Sequence, residues 1–309
     1  MERRDFLRTG LLTAGGVAVG AAGVAGMSNR ANASTAAPGT GEATLALTAD
    51  GDLVVKPAAL GPKYVPTSAE VRRGVPGRRW IMVIDLAACD GCGKCSEACT
   101  KAHFVPGDRE YMRLYKMQDS TEAAPYWFPR ACMHCDNPPC TRVCPVGATF
   151  KREDGVVLID NERCIGCRFC MAACPYSARS FNWSPPDTTK DETSRGYSPE
   201  WGYPRRVGTA EKCDFCADMA RDGQLPHCVS HCAMGAIWYG DENEDAVTNS
   251  KGQTARLSKL LRDNAGFRYM EELGTKPRVY YLPAANRRSA APGEPGANSG
   301  VIPHKGEQR

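Results

Sequence analysis

The chain has 309 residues, of which 42% are hydrophobic and sixteen are cysteines. This length suits one large or two small domains. The 39 basic and 35 acidic residues give a formal net charge of +4. That excess is no evidence for nucleic-acid binding, because four arginines and two acidic residues fall within the first 33 positions. Without these residues the chain has 35 basic and 33 acidic residues. We therefore expect no nucleic-acid partner.

The first 33 residues have the features of an export signal. A basic start, ERRDFLRTGLL, is followed by a run rich in Gly, Ala and Val from Gly10 to Met27 and then by ANA, which predicts cleavage after Ala33. The run is long enough for an uncleaved anchor, although its composition is only weakly hydrophobic. No later apolar run reaches about 18 residues, so we expect membrane contact through a partner.

The start of this signal matches the twin-arginine pattern. In RRDFLR, Arg3 and Arg4 are followed by Phe6 and Leu7. Signals of this type export proteins that have already folded around a cofactor. The alternative is an ordinary basic signal, which needs positive charge but no particular pair. The twin-arginine interpretation predicts a protein in the periplasm or on the outer face of the cytoplasmic membrane.

The remaining chain divides into three segments. Residues 34–78 are rich in small residues, Gly and Pro, and they predict an extended lead-in, with disorder as the alternative. Residues 79–283 hold every cysteine and predict the folded domain. Residues 284–309 combine Ser, Gly and Pro with charges and predict a disordered tail.

The sixteen cysteines fall into four groups of four, with none left over. The first and third groups have gaps of two, two and three residues, while the second widens the middle gap to four and the fourth widens it to eleven. The groups are Cys89, Cys92, Cys95 and Cys99; Cys132, Cys135, Cys140 and Cys144; Cys164, Cys167, Cys170 and Cys174; and Cys213, Cys216, Cys228 and Cys232.

These spacings indicate iron-sulfur clusters. Three thiols on one CxxCxxC loop suit the corners of a cube-shaped 4Fe-4S cluster, and a fourth thiolate completes it. Zinc is one alternative, but its sites use two separated CxxC pairs. Disulfides are the other, because exported cysteines usually oxidise. We predict four 4Fe-4S clusters with all sixteen cysteines as iron ligands.

Such clusters predict one-electron transfer, because sulfur-bridged iron changes valence with little rearrangement. The chain has no GxGxxG, GxxxxGK or GxSxG motif and no other catalytic set. We therefore expect an electron-transfer protein that is not an enzyme by itself.

The cysteine region contains an internal repeat. IDLAACDGCGKC from Ile84 matches IDNERCIGCRFC from Ile159, and CPVGATF from Cys144 matches CAMGAIW from Cys232. Strands are predicted at WIMVID, ATFKR, VVLID and AIWYG, with a hairpin turn at Asp154-Gly155 joining the middle two.

The repeat predicts an α+β fold built from two copies of one unit, related by internal duplication. An inner module takes about residues 130–180, and an outer module takes about 80–129 together with 205–245. Between Pro175 and Lys212, an insertion rich in Pro, Gly and charges predicts irregular structure that contacts a partner or covers a cluster.

After the last cysteine, TARLSKLLRDN predicts a short amphipathic helix. Thr254 is the predicted N-cap, and Leu257, Leu260 and Leu261 lie on one face.

The fourth cysteine of each group lies four residues beyond the third, so a helical turn carries it about 6 Å along the axis, away from its own loop. Proline follows Cys144 and Cys174 but not Cys99 or Cys232, which pairs group two with three and group one with four. The predicted sets are Cys89, Cys92, Cys95 and Cys232; Cys213, Cys216, Cys228 and Cys99; Cys132, Cys135, Cys140 and Cys174; and Cys164, Cys167, Cys170 and Cys144.

Several other residues near the cysteines have two interpretations. The histidines beside cluster ligands either tune potentials or mediate proton-coupled transfer, or they are supporting or exposed residues. The tryptophans are interpreted as packing residues rather than electron relays. The arginines either offset cluster charge or are solvated at the surface. These residues are His134 and His231; Trp183, Trp201 and Trp238; and Arg168 and Arg179.

The stretch from about Trp80 to Leu282 resembles the four-cluster iron-sulfur subunits of membrane-linked respiratory complexes, a family that includes subunits of dimethyl sulfoxide, polysulfide and tetrathionate reductases. CMHCDNPPCTRVCPVGATFKREDGVVLIDNERCIGC and TKPRVYYLP carry the resemblance. It implies two ferredoxin-like 4Fe-4S modules and four clusters with the same exchange of fourth cysteines. It also implies a position between a catalytic, molybdopterin-containing subunit and a membrane quinone-binding subunit.

The insertion after the third group departs from the shortest members of this family. It is more similar to versions in sulfite-reduction-associated and quinol-oxidising complexes. That similarity keeps open a second interpretation, in which the same electron-transfer subunit serves a multihaem cytochrome. A secreted zinc- or disulfide-stabilised interaction module remains the alternative from outside redox chemistry.

Overall fold

The computed structural model describes residues 44–56, 66–118, 123–186, 189–194 and 196–284. The predicted signal and nearly all of the predicted tail lie outside the described residues. The described segments belong to one compact unit of mixed helix and strand.

The strands are β1 (Thr44–Leu47), β2 (Leu53–Lys56), β3 (Trp80–Asp85), β4 (Arg113–Met117), β5 (Tyr126–Arg130), β6 (Thr149–Lys151), β7 (Val157–Ile159), β8 (Ser180–Phe181), β9 (Ala210–Glu211), β10 (Ile237–Asp241), β11 (Ala246–Asn249), β12 (Thr254–Arg256), β13 (Phe267–Arg268) and β14 (Val279–Leu282). The helices are α1 (Ser68–Arg73), α2 (Lys94–Ala102), α3 (Pro139–Arg142), α4 (Phe169–Ala172), α5 (Lys190–Ser194), α6 (Ala217–Arg221), α7 (His227–Ser230) and α8 (Leu257–Asp263).

A six-stranded sheet orders its strands as β12-β11-β10-β3-β14-β13. All pairs are antiparallel except β14 with β3. Strand β3 is buried on both faces because its apolar side chains alternate between two cores. Met82 and Ile84 face the core that contains the cysteines, whereas Ile81 and Val83 pack with Leu257 of α8. The sheet therefore forms the wall against which the cysteine loops fold.

The predicted hairpin between the second and third cysteine groups is confirmed. Strands β6 and β7 pair antiparallel, with Thr149 opposite Ile159. Gly155 in the turn has φ 87°, a left-handed conformation that favours glycine. The other strands predicted around the cysteine groups are also present, as β3 and β10.

Two strand pairs place the cysteines in the same way. In the β3–β10 pair, Ile84 lies opposite Ile237, with Cys89 five positions after the first and Cys232 five positions before the second. In the β7–β6 pair, Cys164 and Cys144 lie at the same offsets from Ile159 and Thr149. Helix α2 packs against α7, and α3 against α4. The first group is thus beside the fourth, and the second beside the third.

The described part of residues 34–78 has more regular structure than the predicted extended lead-in. Strands β1 and β2 form an antiparallel hairpin. Helix α1 begins with a capping box, in which Thr67 accepts from the backbone N–H of Glu70 and the Glu70 carboxylate accepts from that of Thr67.

The helix predicted in TARLSKLLRDN is present, but the predicted N-cap is wrong. Thr254 lies in β12 and its hydroxyl is 3.0 Å from that of Thr248 on β11. The N-cap residue is Arg256, and the first turn is capped by Asp245, which accepts the backbone N–H of Ser258 at 2.6 Å and its hydroxyl at 2.7 Å. Pairing with β11 holds the backbone of Thr254 in an extended strand conformation. The acceptor for the first turn of α8 therefore comes from the turn between β10 and β11. Leu257 is buried, with Leu260 and Leu261 packed beside it.

The described parts of the insertion between Pro175 and Lys212 are mainly irregular, as predicted, but they are anchored to the core. Strands β8 and β9 pair at its ends. Arg205 is buried and forms ion pairs with Glu192 and Glu211, and its guanidinium also donates to the carbonyl oxygen of His103 at 2.6 Å. Among the described residues, no helix is both long and apolar enough to cross a bilayer.

Candidate metal centres

The first cavity lined by cysteines lies beside the β6–β7 hairpin. Cys144 lines it together with Cys164, Cys167 and Cys170. The backbone N–H of Thr149, the first residue of β6, donates to the Cys144 sulfur at 3.4 Å. The cavity therefore combines three cysteines of the third group with the fourth cysteine of the second.

A glycine fixes the shape of the CIGC loop at this cavity. Gly166 has φ 72°, and a Cβ built there would come within 2.4 Å of the Gly208 carbonyl oxygen. The loop can approach the segment before β9 this closely only without a side chain. Ile165 beside it is exposed, so this cysteine loop lies near the surface.

The second cavity lies between α2, α6 and α7. Cys99 lines it together with Cys213, Cys216 and Cys228, and Met82 and Met112 provide apolar walls. The pKa of Cys99 is raised by burial and by its neighbours Cys213 and Cys228. Three cysteines of the fourth group and the fourth cysteine of the first therefore share this cavity.

The remaining eight cysteines form two further neighbourhoods. Burial raises the pKa of Cys95 to about 12, with contributions from Cys89, Cys232 and Cys92. Burial likewise raises the pKa of Cys135 to about 12, and its cysteine neighbours are Cys132, Cys140 and Cys174. The structure thus places every predicted fourth cysteine beside the group to which the exchange assigns it. The ligand assignment itself stays a prediction.

Backbone N–H groups point at the sulfurs that complete two of these sets. For Cys144, burial acts to raise the pKa, but the N–H groups of Thr149, Val146 and Ala148 lower it below its usual value. For Cys174, burial prevails and raises the pKa, although the N–H groups of Tyr176 and Ala178 act in the opposite direction. Such donors favour the thiolate, which is the form that binds metal.

The donor set fits 4Fe-4S clusters. All sixteen cysteines are free of disulfides, as soft thiolate ligands must be. A buried cation, Arg179, lies beside Cys140, Cys170 and Cys132, and its Nη2 has no hydrogen-bond partner among the described residues. Thiolates that carry a cluster would supply the negative charge that this guanidinium lacks.

A histidine outside the cysteine motifs contacts one of these cysteines. His103 is buried, with Nε2 3.3 Å from the Cys216 sulfur and Nδ1 3.2 Å from an Asp214 carboxylate oxygen. Ligand atoms of these three residues lie within 4.8 Å of one another, so they also form a candidate site for a single metal ion. Because Cys216 shares its cavity with three other thiols, His103 and Asp214 are better placed to support that sulfur. The sequence did not predict this role, since its only signal was a histidine four positions after Cys99.

Comparisons with known proteins agree with this geometry. Two models of 4Fe-4S dicluster domains match residues 88–149 and 123–193. A selenate reductase subunit from Mesobacillus selenatarsenatis is 39% identical over 219 residues, which cover 66% of this chain and 72% of the relative. A tetrathionate reductase subunit from Salmonella typhimurium is 38% identical over 242 residues, which cover 76% of this chain and 83% of the relative. The chain belongs to this family of iron-sulfur subunits.

A further relative widens the range of complexes. The Hdr-like menaquinol oxidoreductase iron-sulfur subunit 1 of Archaeoglobus fulgidus is 35% identical over 251 residues, covering 71% of this chain and 87% of the relative. As an iron-sulfur subunit, the chain binds 4Fe-4S clusters, transfers electrons and is not the catalytic subunit of its complex. The fourth cysteine group lies outside both matched domains.

The structure distinguishes between the two interpretations that the sequence allowed for the histidines of this iron-sulfur subunit. His134 is buried, accepts the Val157 backbone N–H at Nδ1 at 3.0 Å, and has Nε2 3.1 Å from the Cys213 carbonyl oxygen. Burial, with Lys212 and Lys151, holds its pKa well below the usual range. His134 is therefore a neutral link between cysteine groups, whereas His231 is exposed.

The tryptophans and arginines also differ among themselves. Trp183 is 67% exposed and stacks on the exposed Arg168, so it is not a core residue. Trp238 packs beside α8, and Trp201 donates from Nε1 to the Gly196 carbonyl oxygen. Arg168 matches the solvated interpretation.

Proposed function

We propose that this iron-sulfur subunit carries four 4Fe-4S clusters in two ferredoxin-like modules related by internal duplication. One observation carries the proposal: the two cavities described above each combine three cysteines of one group with the fourth cysteine of another. The equal offsets of cysteines from the β3–β10 and β7–β6 pairs support the duplication. The ligands are the four sets predicted from the sequence.

Clusters held in these sets would supply one-electron transfer at potentials set by burial and by hydrogen bonds to sulfur. The chain itself provides the surroundings. Apolar side chains such as Met82 and Phe215 exclude water from the cavity of Cys216. Backbone N–H groups donate to Cys144, which stabilises the thiolate.

The partners follow from the kind of relative that the chain resembles. The similar proteins are named as subunits of selenate, tetrathionate and dimethyl sulfoxide reductases, which implies a catalytic subunit. We propose that this partner contains molybdopterin and that a membrane subunit exchanges electrons with quinone. A relative named as a menaquinol oxidoreductase subunit favours a second candidate, the same role in a quinol-oxidising complex. In that complex we propose a multihaem cytochrome as the redox partner. Identification of co-purified subunits distinguishes the two.

Metal and sulfide analysis tests the cluster proposal directly. Anaerobically purified protein is expected to contain about sixteen iron and about sixteen acid-labile sulfide per chain, four times the content of one cube-shaped cluster. It should be brown and should bleach with dithionite. About four zinc per chain without sulfide would instead indicate a zinc-stabilised module.

A further inference from the structure

Arg179 differs from other buried arginines in what balances its charge. Arg152, Arg205 and Arg278 each form ion pairs with carboxylates. Arg179 is only 5% exposed, and its Nη1 donates to the hydroxyl oxygen of Thr149 at 3.2 Å. Its Nη2 has no hydrogen-bond partner among the described residues. Thr149 therefore holds this guanidinium in place without neutralising it.

The negative groups that act most strongly on Arg179 are thiolates. They are the thiolates of Cys140, Cys170 and Cys132. The hydroxyl to which Arg179 donates belongs to Thr149, whose backbone N–H donates to the Cys144 sulfur at 3.4 Å. Cys140 is also a hydrogen-bond partner. In the proposed ligand assignment, Cys140 and Cys132 belong to one cluster and Cys170 to another. Arg179 thus lies between the two centres of the inner module.

An uncompensated buried cation is costly, by several kcal/mol for a single ion. A surface arginine would avoid that cost in water, as the exposed Arg168 does. The compensation at Arg179 depends on the negative charge that the thiolates and their iron carry together. Each one-electron reduction adds one negative charge beside the guanidinium, so the cation favours the reduced state over the oxidised state.

We propose that Arg179 is a positioning residue that raises the reduction potentials of two clusters at once, those of the Cys132 and Cys164 loops. The proposal rests on the proposed four-cluster function. Because a guanidinium stays protonated, its effect persists over the working pH range. The fixed cation makes the inner pair of clusters a more favourable place for an electron than the same thiolates alone.

The test is a potentiometric titration of the anaerobic holoprotein, followed by electron paramagnetic resonance. Arg179→Gln is expected to shift two of the four couples to lower potential, each by at least tenfold in the reduction equilibrium constant, or about 59 mV. The other two couples should stay at their wild-type values. Arg179→Lys keeps the charge and should stay close to wild type. Arg163→Gln is the matched control, because Arg163 adjoins Cys164 but its side chain is 57% exposed.

Each outcome either supports or overturns the effect of the Arg179 charge on the two reduction potentials. If Arg179→Gln retains its iron and sulfide with four unchanged potentials, the proposal is overturned while the electron-transfer function stands. An equal shift in Arg163→Gln would also overturn it, since any nearby charge would then suffice. If Arg179→Gln loses iron, Arg179→Lys decides: an iron-loaded Lys variant with wild-type potentials supports the charge effect, whereas loss of iron there too assigns Arg179 to packing alone. A wild-type protein without clusters would instead refute the proposed function.

Discussion

Cys144 and Thr149 show how a side chain from one loop reaches a centre built by another. Thr149 begins β6 opposite Ile159, which ends β7. The chain reverses between Cys144 and this strand, and the Thr149 N–H closes the turn on the Cys144 sulfur. Cys164 follows Ile159 at the matching offset, so both sulfurs meet at the same end of the hairpin.

Paired substitutions test the exchange at this scale. Cys144→Ala combined with Cys167→Ala should affect one cluster and remove about four of about sixteen iron atoms, because both thiols serve the same centre. Cys144→Ala combined with Cys135→Ala should disrupt two centres and remove up to about eight. Iron and labile sulfide are measured on anaerobic protein beside each single variant. The reverse pattern would show that each group of four closes around its own centre.

At the scale of elements, the insertion between β8 and β9 is held by buried charge as well as by strand pairing. Arg205 lies under it with Glu192 and Glu211, and all three are buried. The same guanidinium donates to the carbonyl oxygen of His103, whose ring contacts Cys216. The insertion is therefore part of the packing around a cysteine cavity.

Removal of that arginine should loosen the insertion. Arg205→Met leaves the buried Glu192 without its cation and leaves Glu211 with Arg109 alone, which costs about 3–5 kcal/mol. At a few degrees per kcal/mol, Tm should fall by about 10 °C. Thermal loss of visible absorption in the holoprotein measures the effect. Arg206→Met is the control, because Arg206 is exposed and adjacent in sequence; similar losses in both variants would contradict the role of burial.

The sequence predicted the elements whose signals are local. Strand β3 is a continuous apolar run, and the β6–β7 turn carries Asp-Gly, so both could be placed from the sequence. The capping of α8 could not be placed, because the acceptor for its first turn, Asp245, comes from the turn between β10 and β11. Burial of Arg179, and the contact of His103 with Cys216, also depend on segments distant in sequence. The local sequence pattern around those residues therefore could not predict these contacts.

At the scale of the whole molecule, the repeated strand pairs and the exchange of fourth cysteines join residues 80–282 into one framework. Cys99 and Cys228 share a cavity although more than a hundred residues separate them. A cluster with ligands from both ends of the domain would hold these two segments in contact, so cluster binding and folding are coupled. Coupled folding and cluster binding favour assembly in a reducing compartment, where the thiols do not form disulfides.

We therefore propose export in the folded state, by the twin-arginine route, to the periplasm or the outer face of the membrane. Changing both Arg3 and Arg4 to Lys keeps the positive charge of the signal but removes the pair. Iron-loaded protein should then accumulate inside the cell. Fractionation followed by iron analysis and immunoblotting measures this, and a variant with Arg8→Lys serves as the charge-matched control outside the pair. Undiminished export of the double variant would indicate an ordinary basic signal, which depends on charge alone.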